Sequence, residues 1–285
     1  MNRIVTSIPN ESHIKYLKSM GFKNFNIHLL DQNTTPQKIK QIIASTGVSV
    51  KSIHVPYSDT EKVLLENINK TESIHYGAMI SELLYSNEPI YLVCHTELGS
   101  SVYNTPEMLY TIVNRIDKLL SAHSHTILAI ENTMIFNSLT QTISQSALPD
   151  YSKLIKELKK QSKYPDRICS VLDICHAQST IYAIKKIFPY WKINLESYFK
   201  EAKDICSVMH LSNSYNYGYT PSSHGIGFDD DSTDELHTLD YINKLYETYI
   251  PNALFVYEIS EHDYSERIEL QKTINSMKKI GRNPF

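Results

Sequence analysis

The sequence predicts an α/β chain folded as a (β/α)₈ TIM barrel, with residues 1–285 forming a single domain. Short runs of Val, Ile and Leu alternate with amphipathic segments along the chain. Within a run, apolar residues rarely alternate with polar ones. That pattern is typical of parallel strands that are buried on both faces. The length of 285 residues is close to the roughly 250 residues of such a barrel. Several runs also end on a residue that binds metal ions, as expected when a site lies at the carboxyl ends of barrel strands.

Eight strands are predicted, and all of them are short. They lie near Arg3–Ser7, Phe25–Leu29, Val50–Val55, Ile90–His95, Ile127–Glu131, Cys169–Asp173, Val208–Leu211 and Leu254–Glu258. The segments between them, such as EMLYTIVNRIDKLLSA and DYSKLIKELKK, carry apolar residues at three- and four-residue spacing. This spacing predicts helices with one apolar face against the barrel. Eight such units with right-handed crossovers close into a barrel.

The composition is that of an ordinary globular protein, with 41% hydrophobic and 21% charged residues and a net charge of −3. The chain has no excess of basic residues, so its composition does not indicate nucleic acid as the main partner. The four cysteines show no CxxC spacing, so we expect them to be reduced. No apolar run approaches the roughly 20 residues of a membrane span, and the first residues do not resemble a signal peptide. We therefore expect a cytoplasmic protein without a membrane partner, in an oligomeric state that the sequence leaves open.

Residues that bind metal ions recur at the ends of the predicted strands. They are His54, His95, Glu131, Asp173, His210 and Glu258, and His176 and His224 follow two of these strands in turns or loops. Imidazole and carboxylate ligands suit zinc, manganese, iron or cobalt better than calcium. Six to eight ligands exceed the need of one ion, so we expect two or three divalent ions, with zinc first. We expect His28 in the core or partly exposed rather than at the site, and Cys94 on the opposite strand face from His95.

These residues resemble the xylose isomerase-like TIM barrels, and most closely the endonuclease IV family (AP endonuclease family 2). The matching motifs are H-x-x-Y at His54–Tyr57, the fourth-strand His95, E-N-T at Glu131–Thr133, D-x-C-H at Asp173–His176, H-L-x-x-S at His210–Ser214 and the eighth-strand Glu258. The resemblance implies one centre on Glu131, Asp173, His210 and Glu258, and a second on His54 and His95 that shares Glu131. It implies a third centre on His176 and a D-x-H motif, but Ser222 stands in place of that aspartate.

Three activities are compatible with this ligand set. The first is metal-assisted hydrolysis of a phosphate ester, with Glu131 bridging two ions and Glu258 orienting water. The second is isomerisation or epimerisation of a sugar, in which Glu131 and Glu258 move a proton on and off carbon. The third is oxidation of a peptide by a multinuclear non-heme iron site. Tyr57 and Asn213 are expected to contact the substrate, which is a small molecule or a phosphate ester, with DNA as a further possibility.

Overall fold

The structure is a computed structural model that describes residues 3–29, 34–55, 72–96, 106–134, 136–137, 142–143, 145–214, 225–229, 232, 234–261 and 263–285. The barrel strands are β1 (Arg3–Ser7), β2 (Asn24–His28), β3 (Ser49–His54), β4 (Ile90–His95), β5 (Thr126–Glu131), β8 (Ile168–Asp173), β9 (Cys206–Leu211) and β10 (Leu254–Tyr257). These eight parallel strands form a closed barrel in the order given, and β10 pairs with β1. The predicted fold class, a (β/α)₈ barrel, is confirmed.

Nine α-helices lie within the described residues and surround the barrel. They are α1 (Glu11–Ser19), α2 (Pro36–Thr46), α3 (Glu72–Leu84), α4 (Pro106–Ala122), α5 (Tyr151–Gln161), α6 (Ile174–Ile187), α7 (Leu195–Ala202), α8 (Leu239–Tyr249) and α9 (Ile268–Lys279). A two-stranded hairpin of β6 (Phe136–Asn137) and β7 (Thr142–Ile143) follows β5. No helix in the described part of the chain is both long and apolar enough to cross a membrane.

Local sequence explains where individual helices begin and end. The Thr35 side chain accepts a hydrogen bond from the Lys38 backbone N–H at the start of α2, and Pro36 occupies the first helical position. Pro at this position loses no helical hydrogen bond and has its φ already set. Gly47 ends α2 with a φ of 63°, a left-handed conformation that glycine adopts without a steric penalty. Polar capping residues and glycine thus set the boundaries of this helix.

Side chains inside the barrel follow the two-residue period of a strand. Val93, Ala129, Val171, Val208 and Val256 pack together there, with Ile4 and Cys169. The alternate residues of the same strands, such as Leu92 and Cys94 on β4, belong to the larger core between barrel and helices. Cys94 therefore faces away from His95, as predicted.

The residue two positions after each of these five interior residues is a predicted metal ligand. In the order of the strands β4, β5, β8, β9 and β10 these ligands are His95, Glu131, Asp173, His210 and Glu258. On β1, β2 and β3 the polar side chains of Thr6, Asn26 and Ser52 lie side by side in register. Asn26 donates a hydrogen bond to Thr6 Oγ1 at 3.0 Å, and Ser52 donates one to Asn26 Oδ1 at 2.8 Å. The regular alternation therefore sends the five ligands on β4, β5, β8, β9 and β10 to the carboxyl end of the barrel.

Two features of the fold differ from the expectation. His176 was expected in a turn, but α6 begins directly after Asp173 and places His176 in its first turn. Two helices, α6 and α7, thus connect β8 to β9.

All four cysteines are free. Residues 215–224, which follow β9 in the sequence, lie outside the described residues.

Candidate metal centre

Glu131 lies at the centre of the carboxyl end of the barrel and is fully buried. Its Oε1 atom is 2.8 Å from His210 Nδ1. Its Oε2 atom is 3.1 Å from His54 Nε2 and 3.1 Å from His95 Nε2. The two oxygens of one carboxylate therefore face different imidazoles on different strands.

Two groups of candidate ligands form around this carboxylate. One consists of His54, Glu131, His210 and Glu258, and the other of His95, Glu131 and His176. Within each group the ligand atoms lie within 4.8 Å of one another. Glu258 Oε2 is 2.7 Å from His210 Nδ1, and its Oε1 is 3.8 Å from His54 Nε2. Glu131 belongs to both groups, as a bridging carboxylate would.

This grouping differs from the one that the family resemblance implies. His54 lies with the two glutamates, whereas Asp173 lies beside His176. Asp173 Oδ1 accepts a hydrogen bond from the His176 backbone N–H at 2.6 Å and thereby caps α6. The same oxygen is 3.7 Å from His176 Nδ1. Asp173 is therefore next to the cluster, and its Oδ1 also stabilises the helix that carries His176.

Asn132, the middle residue of the E-N-T motif, connects these elements, although it was not predicted as a site residue. Its Oδ1 accepts a hydrogen bond from the Asp173 backbone N–H at 2.7 Å, and its Nδ2 donates one to the Asp173 carbonyl at 3.1 Å. Its own carbonyl is 2.7 Å from His176 Nδ1. Asn132 is fully buried. It fixes the end of β8 against the end of β5 and thereby positions Asp173 and His176 relative to Glu131.

Two histidines are held in the orientation that metal coordination requires. His54 Nδ1 is 2.8 Å from the Val55 carbonyl, and His176 Nδ1 is 2.7 Å from the Asn132 carbonyl. Because a carbonyl only accepts, each Nδ1 carries a proton, and in the neutral ring each Nε2 then has a lone pair. A histidine that binds a metal ion through one ring nitrogen usually donates the N–H of its other ring nitrogen to a carbonyl, a carboxylate or water. The donor set therefore fits a divalent cation.

The electrostatics of the cluster agree with this fit. Burial alone would lower the pKa of His210, but Glu258 and Glu131 outweigh it and raise that pKa well above 6.5. The pKa of His54 is likewise raised, because the same two glutamates outweigh its burial. Burial alone would raise the pKa of Glu131 and Glu258, but neighbouring imidazoles, above all His210, lower both. The carboxylates thus stay ionised in a buried place, where they need a cation or protonated imidazoles as partners.

His28 also lies in this part of the barrel. It ends β2, opposite His54 in the strand register, and the two ring centroids are 4.7 Å apart. Burial, and then the charge of His54, lower its pKa to about 3. His28 is partly exposed, which agrees with the expectation, but it faces the candidate ligands. The predicted second strand runs to Leu29, so the strand-end signal used for the other histidines does not mark His28.

Of the remaining predicted residues, Asn213 contacts other parts of the chain, and the others lie outside the described residues. Asn213 is buried, with Oδ1 2.7 Å from His237 Nδ1, and its backbone pairs with Ile226. It therefore joins the two ends of the loop after β9. Tyr57, Ser222 and His224 lie outside the described residues.

Comparison with solved structures gives matches over nearly the whole chain. The apo form of 3-keto-D-glucoside 4-epimerase from E. coli has a TM-score of 0.56 at 16% identity, over 99% of both chains. An AP endonuclease of family 2 from Brucella melitensis has a TM-score of 0.62 at 10% identity, over 99% of this chain and 98% of the other. A xylose isomerase domain containing protein from Salmonella typhimurium has a TM-score of 0.62 at 14% identity, with the same coverage.

The comparisons by sequence give no family. No family model matches the chain, and no curated protein matches it. The structural matches confirm the expected resemblance to xylose isomerase-like TIM barrels, including AP endonuclease family 2. At these low identities the likeness shows the fold and leaves the reaction to be argued from the site.

Proposed function

We propose that this protein is a divalent-metal-dependent hydrolase that acts on a phosphate ester. The observation that carries the proposal is the position of Glu131, which belongs to both ligand groups. Its Oε1 faces His210 at 2.8 Å, and its Oε2 faces His54 and His95 at 3.1 Å. A carboxylate shared between two ligand groups suits a pair of ions, and paired ions are common in enzymes that cleave phosphate esters. An enzymatic role is further supported by the structural neighbours, which include an epimerase and an endonuclease.

The proposed ligands divide between two ions. His54, His210 and Glu258 hold one ion, His95 and His176 hold the other, and Glu131 bridges them. We also propose Asp173 as a ligand, because it ends β8 beside His176 and pairs in register with His210. Zinc is the first choice for this nitrogen and oxygen set, with manganese, iron and cobalt as alternatives. His224 remains a predicted ligand.

Glu131 and Glu258 have different environments and therefore different proposed roles. When bound, the ions lower the pKa of water and offset the charge that develops on the phosphate oxygens. Glu131 is fully buried and held by three imidazoles, so it fixes the spacing of the two groups. The Glu258 side chain is 12% exposed, and its pKa is lowered because neighbouring imidazoles outweigh its burial. Glu258 is thus ionised, and it is the more accessible of the two glutamates, so we assign to it the orientation of an attacking water and the acceptance of its proton.

The test is hydrolysis by the metal-loaded protein. We would assay a bis-aryl phosphate diester, a phosphate monoester and an oligonucleotide with one abasic site. Glu258→Gln should lower the rate about a hundredfold or more, because it removes both a ligand of one ion and the group that accepts the proton of the water. Glu157→Gln is the matched control, since Glu157 lies on α5 and is 51% exposed. Absence of hydrolysis of every ester by fully loaded wild-type protein would contradict the proposal.

A sugar epimerase is the second candidate, because both glutamates contact the same His210 nitrogen at 2.8 and 2.7 Å. Two carboxylates that converge in this way can deprotonate and reprotonate a carbon next to a carbonyl. Incubation with ketoses in deuterium oxide distinguishes the two activities. Deuterium incorporation at carbon, without phosphate ester cleavage, would replace the hydrolase with the epimerase. Oxygen consumption by an iron-loaded protein would instead support the peptide oxygenase.

A further inference from the structure

We propose that the turn at residues 185–192, which joins α6 to α7, is a docking surface for an anionic lipid surface. Four of the nine large hydrophobic residues that are exposed in the described part of the chain fall within five consecutive positions. They are Ile187, Phe188, Tyr190 and Trp191, with exposed fractions of 58%, 53%, 95% and 53%. Apolar side chains that cluster in this way on a surface mark a contact site, whereas single ones do not.

The turn is held in shape by its backbone. Pro189 cannot extend α6, and the Trp191 N–H donates a hydrogen bond to the Phe188 carbonyl at 2.9 Å to close a tight turn. The Phe188 and Trp191 rings pack edge to face, with centroids 6.1 Å apart. On the far side of the turn, Ile193 is anchored in the core. The aromatic side chains are therefore presented outward by a fixed turn.

The charge of the turn is entirely positive. Lys185, Lys186 and Lys192 flank the apolar residues and are exposed, and the turn contains no acidic residue. None of the three forms an ion pair with another described residue. The three lysines therefore give the turn its attraction to an anionic partner.

This combination favours lipid over two other partners. A second copy of the chain would place three lysines against three lysines across a symmetric contact, which is repulsive. Single-stranded nucleic acid needs open, parallel ring faces, whereas Phe188 and Trp191 are inclined at 84° and Ile187 offers no ring. Tryptophan and tyrosine prefer the headgroup region of a bilayer, and lysines near the surface add attraction to anionic lipids. Such a contact lies on the bilayer and needs no spanning helix.

The test uses the only tryptophan of the chain, Trp191, as an internal probe. The full-length protein is titrated with vesicles of phosphatidylcholine alone and with vesicles that contain one part phosphatidylserine to two parts phosphatidylcholine. We expect a blue shift and an increase of Trp191 emission with the anionic vesicles only, and reversal by high salt. Unchanged emission with the anionic vesicles would overturn the proposal.

Two double variants separate the turn from general surface effects. Phe188→Ser with Lys186→Gln should weaken vesicle binding at least tenfold while keeping the probe. Tyr110→Ser with Lys118→Gln likewise removes one exposed aromatic ring and one lysine charge, at exposed positions of α4, and should bind as wild type does. Equal binding by the two variants would overturn the proposal. So would quenching by oligo(dT) without any lipid response, or self-association that only the turn variant loses.

Discussion

Replacing Asn132 with alanine removes the amide that joins the ends of β5 and β8. The side chain makes two hydrogen bonds to the Asp173 backbone, at 2.7 and 3.1 Å, and both lie in the buried interior. Alanine leaves the Asp173 N–H and carbonyl without these partners. A buried polar group left unsatisfied costs about 1 to 3 kcal/mol, so the two together cost about 2 to 6 kcal/mol. For a protein of this size, each kcal/mol lowers the melting temperature by about 2 to 4 °C.

The same substitution should weaken metal binding, because Asn132 positions Asp173 and the first turn of α6, which carries His176. Loss of a residue that supports a ligand lowers metal affinity about ten- to a hundredfold. Asn243→Ala is the matched control. Asn243 is also fully buried, donates to the Leu239 carbonyl at 2.8 Å, and lies on α8 away from the candidate ligands.

The assay combines thermal denaturation with titration of zinc into the metal-free protein. Both variants should melt at lower temperature than wild type, but only Asn132→Ala should bind zinc more weakly. Equal loss of zinc affinity in the two variants would refute the positioning role. A melting temperature of Asn132→Ala equal to that of wild type would refute the energetic argument.

Three further outcomes follow from the structure. In the metal-free protein, the raised pKa values of His210 and His54 mean that their ion pairs stabilise the fold fully below pH 6.5, their ordinary pKa. This stability is lost as the pH rises through the folded pKa values, so melting temperatures with a chelator should fall from neutral to alkaline pH. Gly227→Ala should destabilise by about 2 kcal/mol or more, since a Cβ there would lie 2.2 Å from the Glu269 carbonyl oxygen. Gly281→Ala places its Cβ in open space and should cost less, only the strain of a φ of 74°. Adding zinc to chelator-treated protein should raise the melting temperature in proportion to the logarithm of free zinc, because zinc binds the folded state.

The barrel was predictable because each strand carries its own signal. Buried parallel strands are short apolar runs, and all eight lie within two residues of the predicted positions. The two-residue period then sends the residue two positions after Val93, Ala129 or Val208 to the carboxyl end of the barrel. The convergence of His95, Glu131 and His210 follows from that period, and it was visible in the sequence.

Other features depend on contacts between strands, which leave no local signal. The run FNIHLL continues past His28, so hydrophobicity did not mark the strand end that the hydrogen-bonded ladder sets. The role of Asn132 arises from the backbone of a different strand. The pairing of His54 with Glu258 depends on the stagger and closure of the barrel. Asp173 is a typical residue for the start of a helix, but it was interpreted only as part of a metal-binding motif, so the start of α6 was not predicted there.

The most direct test of the bridging role of Glu131 is the number of ions bound per chain in wild type, Glu258→Gln and Glu131→Gln, measured by elemental analysis after reconstitution and gel filtration. We expect two ions in wild type and one in Glu258→Gln, because Glu258 belongs to one ligand group only. Glu131→Gln should retain neither ion tightly, because both groups lose their shared carboxylate. Wild-type protein without bound metal, or Glu131→Gln with the same metal content as wild type, would contradict the account.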